Sequence, residues 1–250
     1  MTDIPLKDRI ALVVGASRGI GYESALALAK AGAHVIATAR TVGGLEELDD
    51  AIFAATGKHA TLIPFDLVDG GAIDRLGGAI HERFGRLDVW VQAAATMGAS
   101  GLTPVSHADP RIWAKVEKTN FTAVYRLIRS LEPLLKVSDA GRAIYLTTSV
   151  AAAPRAFWGL YAATKAGAEA LLKCWADEIE SMPIRVSIVD PGRMRTAMRA
   201  QAFPGEDPQD VIHPSAIGPL IVELARGDLE PPLEVRFRDW NQGPGVAALI

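Results

Sequence analysis

The tyrosine and lysine of "YAATK", Tyr161 and Lys165, stand one helical turn apart. Residues with that spacing share a helix face, about 6 Å apart along the axis. A free tyrosine has a pKa of about 10 and a free lysine about 10.4. A lysine cation held beside a phenol favours the phenolate. Bringing the phenol to about 7 takes roughly 4 kcal/mol of differential stabilisation. A phenol tuned this way gives a proton to a carbonyl oxygen as hydride reaches the carbon, or takes one back in reverse. The run "IYLTTSV" precedes the pair, and Ser149 or Thr148 at its end offers a hydroxyl to hold the same oxygen. An isolated Tyr-x-x-x-Lys is usually a core tyrosine beside a solvated lysine, so the pair needs support from elsewhere in the chain.

That support begins with "GASRGIG", with glycines at 15, 19 and 21 and Ser17, Arg18 and Ile20 between them. The loop follows an apolar run and leads into a helical pattern carrying Ala25, Leu28 and Ala29. Glycine permits a tight turn and close approach of a phosphate, and the helix amino terminus offers free N–H groups and partial positive charge. In this position the loop predicts a dinucleotide site; on its own it would be a glycine-rich turn. The next apolar run ends in "IATAR", with Ala39 and Arg40 where NAD-binding sheets often place a carboxylate. Arg18 and Arg40 suit a 2′-phosphate, so NADP(H) is expected ahead of NAD(H), unless both arginines are solvated surface charges. Asp66, closing "LIPFD", is read as a partner for the adenine amino group, as a helix amino cap, or as both.

These residues sit on an alternation of short apolar runs and longer helical stretches. The strand candidates are "RIALVVG", "HVIATAR", "ATLIPFD", "LDVWVQA", "RAIYLTTS", "RVSIVD" and "LEVRF". Most are continuously apolar, as expected of strands covered on both faces. Gly32, Gly57 and Gly85 close helical segments as carboxyl-terminal caps. The pattern predicts a single α/β domain over residues 1–250, a doubly wound, mostly parallel seven-stranded sheet of Rossmann type with helices on both faces. Its ligand belongs beyond the carboxyl ends of the strands.

Composition narrows the function further. Apolar residues make up 49% and charged residues 22%, and the net charge is −3, so neither nucleic acid nor a membrane surface is an expected partner. The amino terminus lacks a signal-peptide core, and no apolar run is long enough to cross a bilayer. The one cysteine, Cys174, excludes an internal disulfide and is expected to be a buried small hydrophobe. The five histidines lack metal-ligand spacing, so no metal is assigned. Together these features predict a cytoplasmic protein.

With the loop, the hydroxyl-bearing strand end and the Tyr–Lys pair in place, the chain resembles the short-chain dehydrogenase/reductase family from "VVGASRGIG" to "LEVRF". Gly15, Gly19 and Gly21 match the family's glycine pattern, and Tyr161 and Lys165 its catalytic pair. Asn120 in "KTNFTAVY" matches its helix-borne asparagine, and "DPGRMRTAM" its proline-glycine turn. The resemblance implies a catalytic tetrad of Asn120, Ser149, Tyr161 and Lys165, with Thr148 the other candidate for the hydroxyl. It implies that Lys165 binds the nicotinamide ribose and that Asn120 holds a proton-relaying water. The cofactor-binding residues it implies are Gly15, Ser17, Arg18, Gly19, Ile20, Gly21, Arg40, Asp66, Leu67, Ala94, Tyr161, Lys165, Pro191, Gly192 and Thr196. Two positions depart from the family pattern: Val14 replaces a threonine, and "QAAA", Gln92 to Ala95, replaces Asn-Asn-Ala-Gly.

The activity implied is hydride transfer between NADP(H) and a small carbonyl or alcohol substrate, with Tyr161 as general acid/base. Two alternatives are a 3-oxoacyl-thioester (acyl-carrier-protein) reductase and a non-catalytic NADP(H) sensor on the same fold. Met97, Phe157, Trp158, Met194, Met198 and Phe203 are candidates for an apolar substrate wall, and Arg193, Arg195 and Arg199 for either an anion contact or a solvated helix face. The polar, proline-bearing stretch at about 193–214 is expected to be a mobile lid. Ala162, Ala163, Ala166, Gly167 and Ala170 permit close helix packing, which resembles the family's dimer interface and predicts a homodimer or homotetramer.

Overall fold

The apolar runs become seven strands: β1 (Ile10–Val14), β2 (His34–Ala39), β3 (Thr61–Pro64), β4 (Val89–Gln92), β5 (Gly141–Leu146), β6 (Ile184–Asp190) and β7 (Glu234–Arg236). The structure is a computed structural model and describes residues 4–99 and 101–243. The strands form one sheet in the order β3-β2-β1-β4-β5-β6-β7, and every pairing is parallel. Every residue of β4 and β5 is buried, which explains why these runs show no alternation of apolar and polar residues.

The helices are α1 (Gly19–Lys30), α2 (Val42–Thr56), α3 (Gly70–Phe84), α4 (Pro110–Glu117), α5 (Ala123–Leu135), α6 (Ser149–Ala152), α7 (Gly159–Glu178), α8 (Ala197–Ala202), α9 (Gly218–Leu224) and α10 (Phe237–Gln242). A π-helical turn, Lys118–Thr122, joins α4 to α5. On one face of the sheet, Leu28 of α1, Leu45 and Leu48 of α2 and Leu220 of α9 pack over β1 and β2. On the other, Ile73 of α3, Leu127 of α5 and Leu172 of α7 pack over β4 and β5. Each such side chain, fully buried, contributes about 1.5–3 kcal/mol. Trp90 of β4 meets Trp175 of α7 with ring centroids 6.3 Å apart.

Gly57 and Gly85 cap α2 and α3 in the left-handed conformation, and Gly32 follows the last turn of α1 with φ +104°. The amino cap of α3 is Asp69, which accepts from Ala72 N at 3.1 Å; Asp66 does not hold that place. Cys174 is exposed on α7 instead of buried. The buried stripe of that helix runs through Tyr161, Lys165, Ala168, Leu172 and Trp175, and Cys174 falls on the opposite side. The end of "RDWNQGPGVAALI" beyond Gly243 lies outside the described residues.

β1 lies between β2 and β4, so the connections run in opposite directions from it, and a crevice opens at its carboxyl end. The loop after β1, the loop after β4 and the loop after β6 converge there.

Candidate active site

The crevice is shaped by glycines that must be glycines. Gly15 has φ +91°, and a Cβ on it would lie 2.6 Å from Ala94 N. A Cβ on Gly21 would lie 2.1 Å from the Gly15 carbonyl oxygen. The backbone of Ala93 and Ala94 donates to the Val14 carbonyl, which seats the β4 loop against the glycine loop. Gly19, at φ +59°, opens α1, and a Cβ there would point to Thr196 Cγ2 at 3.3 Å. A substituent on Gly19 would therefore fill the gap between the glycine loop and the post-β6 loop. Arg18 precedes α1 without capping it by its side chain, so the first-turn amides, including those of Ile20 and Gly21, have no cap. An anionic phosphate fits that cradle. Ser17 packs against Gly44 of α2, where a Cβ would sit 2.7 Å from the Ser17 carbonyl oxygen.

Arg18 and Arg40 are both exposed at the rim. The carboxylate missing from the end of β2 arrives from the end of β3: Asp66 Oδ2 lies 3.7 Å from Arg40 Nη1. Asp66 also accepts from Val68 N at 3.2 Å, and Leu67 beside it is buried. At the far side, Pro191 is buried and Gly192, at φ +69°, donates its N–H to Asp190 Oδ1 at 3.0 Å. Thr196 caps α8, accepting from Arg199 N at 3.2 Å.

The four proposed catalytic residues gather at the carboxyl ends of β4 and β5. Asn120 is 1% exposed and sits in the π turn. Its Oδ1 accepts from Thr96 N at 2.8 Å, and its Nδ2 donates to the Thr96 carbonyl at 2.8 Å and to Thr164 Oγ1 at 3.1 Å. The amide thus ties the post-β4 loop to the turn of α7 that carries Tyr161. Of the three hydroxyls in "TTS", Thr147 donates to Glu169 Oε1, Thr148 caps α6 at Val150 N, and Ser149 is exposed. Exposure favours Ser149 over Thr148 as the hydroxyl that faces a substrate. Gln92 does not tie neighbouring strands: its Nε2 donates to the Ala94 carbonyl at 3.1 Å, and its buried Oε1 has no partner among the described residues.

Tyr161 is 8% exposed, under an apolar cluster of Met97, Val150 and Ala162 flanked by Ala95, Leu102, Trp158 and Met198. Lys165 is 2% exposed. Its ammonium donates to the Leu146 carbonyl at 2.6 Å and lies 4.3 Å from the centre of the Tyr145 ring and 6.0 Å from that of Tyr161. Spacing alone predicts that the lysine lowers the tyrosine pKa, and in the structure the opposite force wins. Burial pushes the Tyr161 phenol well above its ordinary range, and Asp190 adds to it. Burial lowers Lys165 to about 7, with Glu169 opposing. Both groups are driven toward their neutral forms because each is removed from water and neither touches an opposite charge.

Of the apolar residues read from the sequence as a wall, Met97, Trp158 and Met198 cluster with Tyr161, Phe203 meets Trp158, Phe157 is exposed, and Met194 joins the core under α9. Trp158 lies 6.0 Å from Tyr161 and 6.0 Å from Phe203, centroid to centroid. Several contacts hold the 193–214 stretch in place. Arg195 N donates to the Ile212 carbonyl at 2.8 Å, and Gln201 Nε2 donates to the Gly98 carbonyl at 3.1 Å. Arg199 grips Glu206 through Nε at 2.6 Å and Nη2 at 2.5 Å, and its guanidinium lies 3.7 Å over the Phe203 ring. Arg199 is therefore neutralised instead of free for an anion, while Arg193 is exposed. Thr96, Thr147, Thr164 and Glu169 were not singled out from the sequence. Glu169 alone had a signal, its place one turn after Lys165.

A model of the short chain dehydrogenase family matches residues 9–207. The uncharacterized oxidoreductase YciK of Escherichia coli K12 is 38% identical over 246 residues, covering 97% of this chain and 96% of that protein. The 3-oxoacyl-[acyl-carrier-protein] reductase FabG of the same organism is 33% identical over 190 residues, covering 76% of this chain and 75% of its own. Among solved structures, a short chain dehydrogenase from Shigella flexneri 2a complexed with NADP superposes with a TM-score of 0.88 at 35% identity, covering 95% of this chain and 100% of that one. The glycine cradle, the sheet order and these likenesses agree, and the chain belongs to the short chain dehydrogenase family of oxidoreductases.

Proposed function

We propose that this protein reduces a small, apolar carbonyl compound, or oxidises the corresponding alcohol, with NADP(H). The observation that carries the reading is Tyr161, buried in the apolar cluster of Met97, Val150 and Ala162, with the Lys165 ammonium 6.0 Å from its ring and Ser149 exposed just after β5. A bound nicotinamide supplies or accepts the hydride. Gly15, Ser17, Gly19, Ile20 and Gly21 cradle its phosphates; Arg18 and Arg40 take the 2′-phosphate; Asp66, Leu67 and Ala94 border the adenosine; Pro191, Gly192 and Thr196 border the nicotinamide. The NADP held by the Shigella relative supports that preference.

Ser149 donates a hydrogen bond to the substrate oxygen, and Tyr161 gives that oxygen its proton. Lys165, as an ammonium, steadies the phenolate that forms and reaches the cofactor ribose. Asn120 fixes the turn carrying Tyr161 through Thr164, and holds the relay by which Lys165 exchanges its proton with water. The lid at 193–214 covers the cleft through Phe203 and Met198. The likeness to FabG favours one second reading, a 3-oxoacyl thioester as the carbonyl.

A homodimer or homotetramer is formed through the face of α5 and α7, where a groove of about 450 Å³ is lined by Tyr125, Ile128, Leu171 and Cys174. The protein works in the cytoplasm. NADPH oxidation across a panel of ketones, aldehydes, quinones and 3-oxoacyl thioesters tests the function. The expected result is a substrate-dependent rate that Tyr161→Phe abolishes while NADPH still binds. A variant near the parental rate refutes the acid–base role, and tight NADPH binding without turnover of any carbonyl favours a sensor.

A further inference from the structure

Lys165 is a buried cation whose ammonium rests on a neutral acceptor, the Leu146 carbonyl, and on the face of Tyr145. One turn later on α7 stands Glu169, half-buried, with Oε1 accepting the hydroxyl proton of Thr147. Another turn on, Lys173 is ion-paired to Glu234 of β7 at 2.5 Å, so its charge is already matched. Around Lys165, β5 contributes Tyr145, β6 contributes Asp190, which acts on Tyr161, and the π turn contributes the neutral Asn120. On α7 itself lie Tyr161, Glu169 and Lys173.

We propose that Glu169 is a positioning residue of this site: held in place by Thr147, it is the counter-charge that favours the ammonium form of Lys165 without touching it. A carboxylate in direct contact would fix the lysine and take its hydrogen bonds. One turn away, it favours the charged form while leaving the ammonium free to serve Tyr161. The Thr147 bond adds a mechanical link, because Thr147 N also donates to the Val189 carbonyl at 2.8 Å and Thr147 leads directly into Thr148 and Ser149. Glu169 thereby couples the lysine's charge to the strand end that presents the serine. The catalytic meaning of this role rests on reading Tyr161 and Lys165 as the proton-transfer pair.

The test reads Lys165 itself. Protein labelled with 13Cε-lysine is titrated by NMR without cofactor, the Lys165 signal being assigned by its loss in Lys165→Arg. Glu169→Gln keeps an acceptor for Thr147 and removes the charge. Its Lys165 midpoint is expected to fall by about one to two pH units, the effect of a unit charge roughly 6–8 Å away at an effective dielectric of about 20. Glu169→Asp, which keeps the charge, is expected to stay within about half a unit of the parent. Thr147→Val removes the hydrogen bond and keeps the carboxylate, and is expected to shift the midpoint far less than Glu169→Gln. An unmoved midpoint in Glu169→Gln overturns the proposal, as does an equal shift in Thr147→Val. If Glu169→Gln does not fold, the Glu169→Asp and Thr147→Val pair still decides it: a fall of about one unit or more in both, with the carboxylate present in each, overturns the counter-charge. With a carbonyl substrate in hand, the basic limb of kcat/KM for reduction should move to lower pH in Glu169→Gln. A limb that stays put while the NMR midpoint moves overturns the role in catalysis. A moved midpoint with no turnover in the parent protein leaves the counter-charge standing and refutes the reductase reading instead.

Discussion

Lys165 makes the fold less stable at neutral pH than in mild alkali. Burial lowers its pKa from 10.5 to about 7, and at 2% exposure solvent screens little of that cost. Below the folded value, folded and unfolded chains both carry the proton, and the whole cost of burying the ammonium is present. Between about 7 and 10.5 the unfolded chain holds a proton that the folded chain has released. Stability therefore rises with pH by about 1.4 kcal/mol per unit, or about 5 kcal/mol across that window. Above it, Tyr161 and Tyr145, both pushed up by burial, keep protons the unfolded chain gives up, and stability falls again. Lys165→Met keeps the side-chain length and removes the charge, at a cost of about 2 kcal/mol for the Leu146 carbonyl left unpaired. At pH 6 the variant should be more stable than the parent by about 3 kcal/mol, and at pH 9.5 slightly less stable, by about 1 kcal/mol or less. Urea unfolding of both proteins at pH 6, 7.5 and 9.5, at matched ionic strength, measures the difference. A difference that stays constant across the series refutes the argument, because the ammonium would then have water or a carboxylate in direct contact, where the Leu146 carbonyl and the Tyr145 ring receive it instead.

Three further outcomes follow from contacts around the cleft. Gly15→Ala should cost at least about 2 kcal/mol in urea unfolding, since its methyl at φ +91° would lie 2.6 Å from Ala94 N; a loss below about 0.5 kcal/mol would contradict the close approach. Arg18→Ala should weaken NADPH about tenfold or more and NADH little by fluorescence titration, as one charge-assisted contact to a phosphate predicts; equal losses for both cofactors would remove it from the 2′-phosphate. Glu206→Ala releases the Arg199 guanidinium over Phe203, so kcat/KM for anionic carbonyls should rise several-fold relative to uncharged ones. An unchanged ratio would mean that Arg199 does not face the substrate.

The strands were legible because the sheet is covered on both sides: β4 and β5 are buried throughout, so their sequences are mostly apolar, with Gln92 and Arg142 as buried exceptions. The glycine loop was legible because its geometry excludes a Cβ at Gly15 and Gly21, which leaves few sequences that fit. Asn120 could be placed on a helix but not in a π turn, since the extra residue in that turn has no composition of its own and is held by the amide's bonds to Thr96 and Thr164. Cys174 was misplaced although the pattern held the answer: the stripe from Tyr161 to Trp175 puts it on the outward side of α7. The pairing of Arg40 with Asp66 crosses from β2 to β3 and could not be read from either segment alone.

The Tyr161–Lys165 pair separates two kinds of legibility. Spacing fixes which side chains share a face, and it was right about that. The sign of their mutual effect depends on what else covers the face, and no spacing carries that. Here Trp158, Met97 and Val150 cover the phenol, and the Leu146 carbonyl and Tyr145 ring receive the ammonium. Desolvation therefore exceeds the attraction between the two groups and pushes both toward neutral. A proton-transfer pair built this way needs charge from outside the pair. Glu169 one turn along the helix is the group that meets that need for the lysine, and a motif confined to Tyr-x-x-x-Lys ends one helical turn short of the carboxylate that favours the lysine's charge.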